Sequence, residues 1–242
     1  MHDAAARRSQ LVHHLRATGE VTDERVLDAI GAVPRERFID ARQAHEAYSD
    51  EPLPIGSDQT ISQPLVVALM TEALHVAAGD HVLEIGTGSG YQAAVLQELG
   101  AKVTTIERIP KLATRAAERL LELEYNDIDV HIGDGSKGWP EGSPYDGIIV
   151  TAGAPSVPKS LLEQLADGGR LVAPIGPAQA QELLQVSRSG SRFRTERLGP
   201  VAFVPLIGAE GWPEPHPLSI APSPTTPQTH HPAAPQPHRP GD

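Results

Sequence analysis

Short apolar runs alternate with segments of helical period along the middle of the chain. Val82, Leu83 and Ile85 make a buried-strand pattern that ends in Gly86, Gly88 and Gly90, and Ala94, Val95 and Leu99 follow at helical spacing. This predicts a strand, a tight turn and a helix start, with glycines that let the backbone take unusual torsions and approach a ligand closely. Residues 102–107 alternate toward a second strand, and 112–123 form a helix with Pro110 near its start. Third and fourth strands are expected at 129–133 and 145–150. Leu161, Leu162 and Leu165 mark a helix stopping at Gly168 and Gly169, and 170–176 is a fifth strand with Pro174 tolerated near its end. The runs at 182–186 and 193–206 lack a helix between them, so an antiparallel hairpin closes the sheet edge.

Upstream, residues 7–16 form a short helix. Thr22 caps a second one whose first turn carries Asp23 and Glu24, whose apolar face is Val26, Leu27, Ile30 and Val33, and which Pro34 stops. Phe38 and Ile39 read as anchors on the core, and 48–56 as an extended surface segment. Ser62 stands where an N-cap belongs, Pro64 falls in the first turn, and Leu65, Leu69 and Ala73 share a face with Val66 and Met70 beside it. The predicted fold is α/β: a doubly wound, mostly parallel sheet at 79–212, an N-terminal helical segment at 1–78 and a C-terminal antiparallel hairpin.

Composition adds limits. The 242 residues carry a net charge of -11 with no basic stripe, which argues against nucleic acid as a partner. There is no cysteine, no signal-peptide core and no run long enough to cross a membrane, so a soluble cytoplasmic protein, acting as a monomer, is expected. Ten of the 23 prolines lie between Pro213 and Pro240, and 213–242 reads as a disordered tail. His216, His230, His231 and His238 fit no metal-ligand spacing.

The glycine turn is the first candidate for a nucleoside site, because ligands of such sheets bind outside the carboxyl ends of the strands. Glu107 closes the second strand, placed to bind both ribose hydroxyls. Asp134, followed by Gly135, reads equally well as an acceptor for an adenine amino group and as a turn residue. A dinucleotide fingerprint needs a third glycine where Tyr91 stands, and Glu84 would repel a pyrophosphate yet suits a ligand with a sulfonium and an ammonium group. That points to S-adenosylmethionine. Ser62 is either a helix cap or part of a site for an anionic substrate group at the helix terminus, and one hydroxyl can serve both.

With residues 82–92, the elements Gln59-Thr-Ile-Ser-Gln-Pro64, Val33-Pro-Arg, Leu53-Pro-Ile-Gly56, Glu107-Arg-Ile, Gly133-Asp-Gly135, Ile149-Val-Thr-Ala152 and Phe203-Val-Pro-Leu206 occur in one order over 12–212. In this the chain resembles the bacterial protein-L-isoaspartate O-methyltransferases. The resemblance implies methyl transfer from S-adenosylmethionine to the free α-carboxylate of isoaspartyl residues in damaged proteins and peptides, opening repair through a succinimide, with no metal. It implies Ser62 as the active-site residue. Cofactor contacts fall to Glu84, Gly86, Thr87, Gly88, Ser89, Gly90, Glu107, Asp134 and Gly135, and substrate contacts to Thr60, Ile61, Ser62, Val204, Pro205 and Leu206. The proline-rich tail lies outside the resemblance. Two other readings stay open at this point, an NAD-linked oxidoreductase and a non-catalytic adenosyl-ligand sensor or tail-mediated adaptor.

Overall fold

The computed structural model describes residues 2–214; the expected tail lies outside them save for its first two residues. Seven strands form one sheet in the order β5-β4-β3-β6-β7-β8-β9. They are β3 (His81–Ile85), β4 (Lys102–Glu107), β5 (Ile128–Ile132), β6 (Tyr145–Val150), β7 (Leu165–Ile175), β8 (Gln181–Ser189) and β9 (Arg192–Val201). The first five positions pair in parallel, and β8 and β9 add antiparallel. The chain builds outward from β3 through β4 to β5, then returns to β6 on the other side of β3. Strand order therefore reverses at β3 and β6, which opens a crevice at their carboxyl ends.

Helices cover both faces. On one, α4 (Tyr91–Glu98) and α3 (Pro64–Leu74) bury Leu96, Met70 and Leu74 against Val82, Val103, Ile149 and Val172. On the other, α6 (Lys159–Gln164) places Leu161 against Leu83, Ile148 and Leu171. The N-terminal helices α1 (His2–Thr18) and α2 (Glu24–Ala32) form a third cluster with Leu15, Leu27 and Ile30, which joins Tyr91 and Val95 of α4 and Leu120 of α5 (Pro110–Glu122). Phe38 and Ile39 are buried in it, as expected of anchors. Among the described residues no helix is long and apolar enough to cross a membrane.

Several boundaries differ from the sequence expectation. The first helix runs beyond 7–16 at both ends. Asp23, not Thr22, caps α2, accepting from the Arg25 N–H. Thr22 is drawn away by Glu72 on α3, whose Oε1 accepts its N–H at 2.8 Å and its hydroxyl at 2.9 Å. The segment 48–56 is not merely extended: β1 (Leu53–Gly56) pairs antiparallel with β2 (Gln59–Ile61) through a turn at Ser57 and Asp58, both left-handed. The two turn positions carry serine and aspartate in place of the asparagine or glycine that signals such hairpins, with the one glycine, Gly56, standing just before them, which hides the hairpin in the sequence. On α3 the buried positions include Val67, Ala68 and Thr71, while Leu65 and Leu69 are half-buried. The helix is enclosed nearly all round, so one-face counting misplaces its stripe. Residues Gly168 and Gly169 do not end α6; they fall within β7, where pairing with β6 jumps from Leu165 opposite Tyr145 to Arg170 opposite Gly147. The hairpin strand β9 stops at Val201, and 203–206 leaves the sheet to cross its end.

Gly90 is the N-cap of α4 with φ +90°, and a Cβ there would lie 3.3 Å from Leu120. Gly90→Ala is expected to cost about 1–3 kcal/mol through left-handed strain and crowding of α5. Thermal denaturation checks this, and an unchanged midpoint would show that α5 yields freely.

Candidate active site

The crevice at the ends of β3 and β6 holds a cavity of about 370 Å³. Its floor is the glycine turn, Gly86 to Ser89. Residues 57–62 of the β1–β2 hairpin form one wall, Ile106 to Ile109 a second, and Val204 to Ile207 a third. The last segment is tied across the sheet end by the Gly153 N–H to the Val204 carbonyl and the Leu206 N–H to the Gly153 carbonyl, both at 2.8 Å.

Glu84 leaves the end of β3 wholly buried. Its Oε2 accepts from the Thr105 hydroxyl at 2.5 Å, and Thr105 is bonded in turn to the Thr87 hydroxyl at 2.7 Å. Among the described residues Oε1 has no hydrogen-bond partner. Burial pushes the carboxyl up to about 8; the Thr105 bond opposes this and the nearby charge of Glu107 adds to it. The protein therefore prepares a buried acceptor and leaves one oxygen for something else. Glu107 is used differently. Its Oε2 takes the Gly88 N–H and its Oε1 the Ile109 N–H, each at 2.9 Å, which fixes the turn against the end of β4 while each oxygen keeps further acceptor capacity.

Ser62, at the end of β2, is half-buried on the cavity wall, and its hydroxyl makes no hydrogen bond among the described residues. It is not the cap of α3: Gln63 holds that position with no side-chain cap bond, and Asp50 accepts the Leu65 N–H instead. Thr60, Ile61, Val204, Pro205, Leu206, Gly86, Thr87, Gly88, Ser89, Gly135, Glu84 and Glu107 all line the same cavity with Ser62.

Two residues of the expected set do not line it. Gly90 faces α5, as described above. Asp134 points to the crossing segment: its Oδ1 accepts from the Ser136 N–H and hydroxyl, and its Oδ2 from the Ala209 N–H at 2.8 Å. Burial pushes its carboxyl up, but these bonds outweigh burial and hold it below the ordinary value. Asp134 thus latches residues 207–210 over the site, while its neighbour Gly135 lies in it. A Cβ on Gly135 would strike Ile85.

Sequence reasoning missed Thr151. Its hydroxyl lies 3.0 Å from the Ile85 carbonyl and 2.7 Å from that of Gly86, and a Cβ on Gly86 would collide with it. Its place at the end of the strand beside β3 was the available signal. Arg108 was missed too; it lines the cavity and pairs with Glu214 at 2.8 Å.

The model of the protein-L-isoaspartate(D-aspartate) O-methyltransferase family matches residues 6–211. The chain belongs to this family. A protein-L-isoaspartate O-methyltransferase of Rhodopseudomonas palustris is 54% identical over 86% of this chain and 96% of its own. One from Methanoculleus marisnigri is 50% identical over 85% and 93% of the two chains. Among solved structures, a protein-L-isoaspartate O-methyltransferase superposes with a TM-score of 0.78 at 31% identity, covering 84% of this chain and 67% of that one. A Plasmodium falciparum relative solved with S-adenosyl-L-homocysteine shares the fold at a TM-score of 0.73 and 24% identity, over 83% and 98% of the chains.

The family's S-adenosylmethionine fits these residues. The unpartnered, buried Oε1 of Glu84 suits an ammonium group, and Glu84 borders the cavity together with the glycine turn. If Glu84 must ionise to hold that group, affinity for S-adenosylhomocysteine falls toward about tenfold per pH unit below about 8. Glu84→Gln should bind weakly with a flat profile, checked by calorimetry between pH 6 and 8. A wild-type profile equally flat would show that Glu84 does not titrate with binding. The sign for folding is opposite. A raised carboxyl favours the fold below its unfolded value near 4.5, and this is lost as pH rises through about 8, so Glu84→Gln should melt higher than wild type at pH 8 when no ligand is added.

Proposed function

We propose that the chain methylates the free α-carboxylate of L-isoaspartyl residues in damaged proteins and peptides, with Ser62 orienting the acceptor. The carrying observation is that Ser62, whose hydroxyl makes no hydrogen bond among the described residues, lines the same cavity as Glu84, whose Oε1 has no partner. When bound, S-adenosylmethionine supplies a methyl group on a sulfonium whose departure leaves a neutral thioether.

The protein's work follows from the acceptor. A carboxylate with an ordinary pKa near 4 is ionised at neutral pH, so no general base is needed to make the nucleophile. Alignment is the larger demand, and holding reactants in line supplies a large part of the rate. Ser62 donates to one carboxylate oxygen and leaves the other to react. The amino end of α3 adds less attraction than its position suggests, because Pro64 has no N–H and Asp50 already takes that of Leu65. Ile61 and the apolar wall of Val204, Pro205 and Leu206 limit water around the acceptor, and Thr60 with that wall borders the path of the polypeptide. On the cofactor side, Glu84, Gly86, Thr87, Gly88, Ser89, Glu107 and Gly135 hold the adenosyl ligand.

The ester made at the α-carboxyl then reacts without the enzyme: the following backbone nitrogen attacks it, methanol leaves, and hydrolysis of the succinimide returns some normal aspartyl linkage. One chain supplies both the cofactor wall and the acceptor wall, which favours a monomer as the working unit.

Labelled methyl should pass from S-adenosylmethionine to an isoaspartyl peptide and not to its aspartyl twin; equal labelling would reject the specificity. Ser62→Ala should lower kcat by about 10- to 100-fold while the Kd for S-adenosylhomocysteine stays within about twofold. Undiminished turnover would remove Ser62 from the reaction.

A further inference from the structure

The side chains of residues 62–65 do not fix their own path. Gln63 stands at the cap of α3 with no side-chain bond to the helix's own N–H groups, and Pro64 has no donor. Asp50 reaches in from the preceding loop. Its Oδ1 accepts the Leu65 N–H at 2.8 Å and its Oδ2 accepts from Gln63 Nε2 at 2.9 Å. On the other side of Ser62, Ile61 pairs with Leu53 in the hairpin. Ser62 is thus gripped from both sides while its hydroxyl remains free.

The loop that carries Asp50 is anchored on a buried cation. Arg35 is fully buried; its Nε donates to the Ala47 carbonyl at 2.8 Å and its Nη2 to the Glu51 carbonyl at 3.2 Å, on either side of Asp50 in sequence. The guanidinium carbon is 5.1 Å from the ring centre of Tyr91, which lines the cavity. Burial pushes Arg35 below the ordinary guanidinium value, and the nearby charges or dipoles of Tyr91, Asp50 and Tyr48 oppose this. Desolvating a guanidinium costs several kcal/mol, so an unpaired Arg35 would be a liability. The two loop carbonyls and the nearby charge of Asp50 offset part of that cost, Nη1 has no partner among the described residues, and the carbonyls on either side of Asp50 are fixed in place.

We propose that Asp50 is a positioning residue for the methyl acceptor: bonded to Leu65 and Gln63 and held by the Arg35-anchored loop, it sets the place of the Ser62 hydroxyl. Asp50 does not line the cavity, so it acts through Ser62 and not on the substrate. The inference rests on the role given to Ser62 above. Geometry rather than charge is what Asp50 supplies. An asparagine can accept the Leu65 N–H with its oxygen, and a flipped Gln63 amide can accept from its nitrogen.

The test is a double-mutant cycle on the full chain with an isoaspartyl peptide. Asp50→Ala should lower kcat by about tenfold or more, leave the Kd for S-adenosylhomocysteine within about twofold, and speed hydrogen exchange at the Leu65 amide. Asp50→Asn should stay within about threefold of wild type. In a Ser62→Ala background, Asp50→Ala should add little, because its effect passes through the missing hydroxyl. Gln63→Ala, which removes one of the two bonds, gives the same pattern in weaker form and serves if Asp50→Ala unfolds. Full additivity of the two alanine variants, or Asp50→Asn as damaging as Asp50→Ala, would overturn the proposal. Ser62→Ala without effect would instead overturn the role of Ser62, a distinct result.

Discussion

The carboxyl of Glu84 is sealed at the end of the central strand with one oxygen bonded to Thr105 and the other to nothing in the described protein. Leaving a buried charge unpaired costs several kcal/mol, against a total stability of about 5–15 kcal/mol for a domain. A fold can bear that cost by keeping the carboxyl protonated, and the upward push to about 8 is what this looks like. The glycine turn, Thr87 and Thr105 are arranged around the same group. Gly86 has no room for a side chain because Thr151 fills the space, and Glu107 pins Gly88 from the neighbouring strand. A cationic ligand group is the partner that this arrangement lacks.

The acceptor side is built on a different principle. Among the described residues no cation is hydrogen-bonded to the Ser62 hydroxyl, and the one arginine on the cavity wall, Arg108, is paired with Glu214. The hairpin, the Asp50 bonds and the crossing segment 204–212 supply position, and the crossing segment is itself stitched down by Asp134, by Ser136 to the Glu210 N–H at 3.0 Å, and by Trp212 Nε1 to the Gly153 carbonyl at 3.1 Å. Such a division matches the chemistry. An ionised carboxylate needs orientation and dryness more than activation, whereas the cofactor half needs a counter-charge.

Strands β3 and β6 and the glycine turn were legible because buried parallel strands leave apolar runs, and the turn residues are diagnostic in that setting, whereas the edge strand β5 has no fully buried residue and shows only through its place in the strand–helix alternation. What failed was what depends on distant partners. Nothing near Thr22 announces that Glu72, fifty positions away, takes its hydroxyl and leaves the cap to Asp23. Nothing beside Ser62 shows that Asp50 performs the capping. Asp134 has the sequence setting of a strand-end ligand, but it lies outside the cavity lining and bonds Ser136 and Ala209, which only the path of the C-terminal segment reveals. The family resemblance, resting on ordered motifs over most of the chain, reached the methyl acceptor where residue-by-residue reading had reached only the cofactor, S-adenosylmethionine.

The role proposed for Glu84 is to stay neutral without ligand and to become the counter-charge of the bound cofactor. Carbon-detected NMR titration of the labelled glutamate side chains, with Glu84→Gln to assign the resonance, measures this directly. A midpoint near 8 is expected without ligand and one below about 5 with S-adenosylhomocysteine bound, as an adjacent cation favours the ionised form. A midpoint near 4 in the empty protein, or one that binding leaves unmoved, would contradict it.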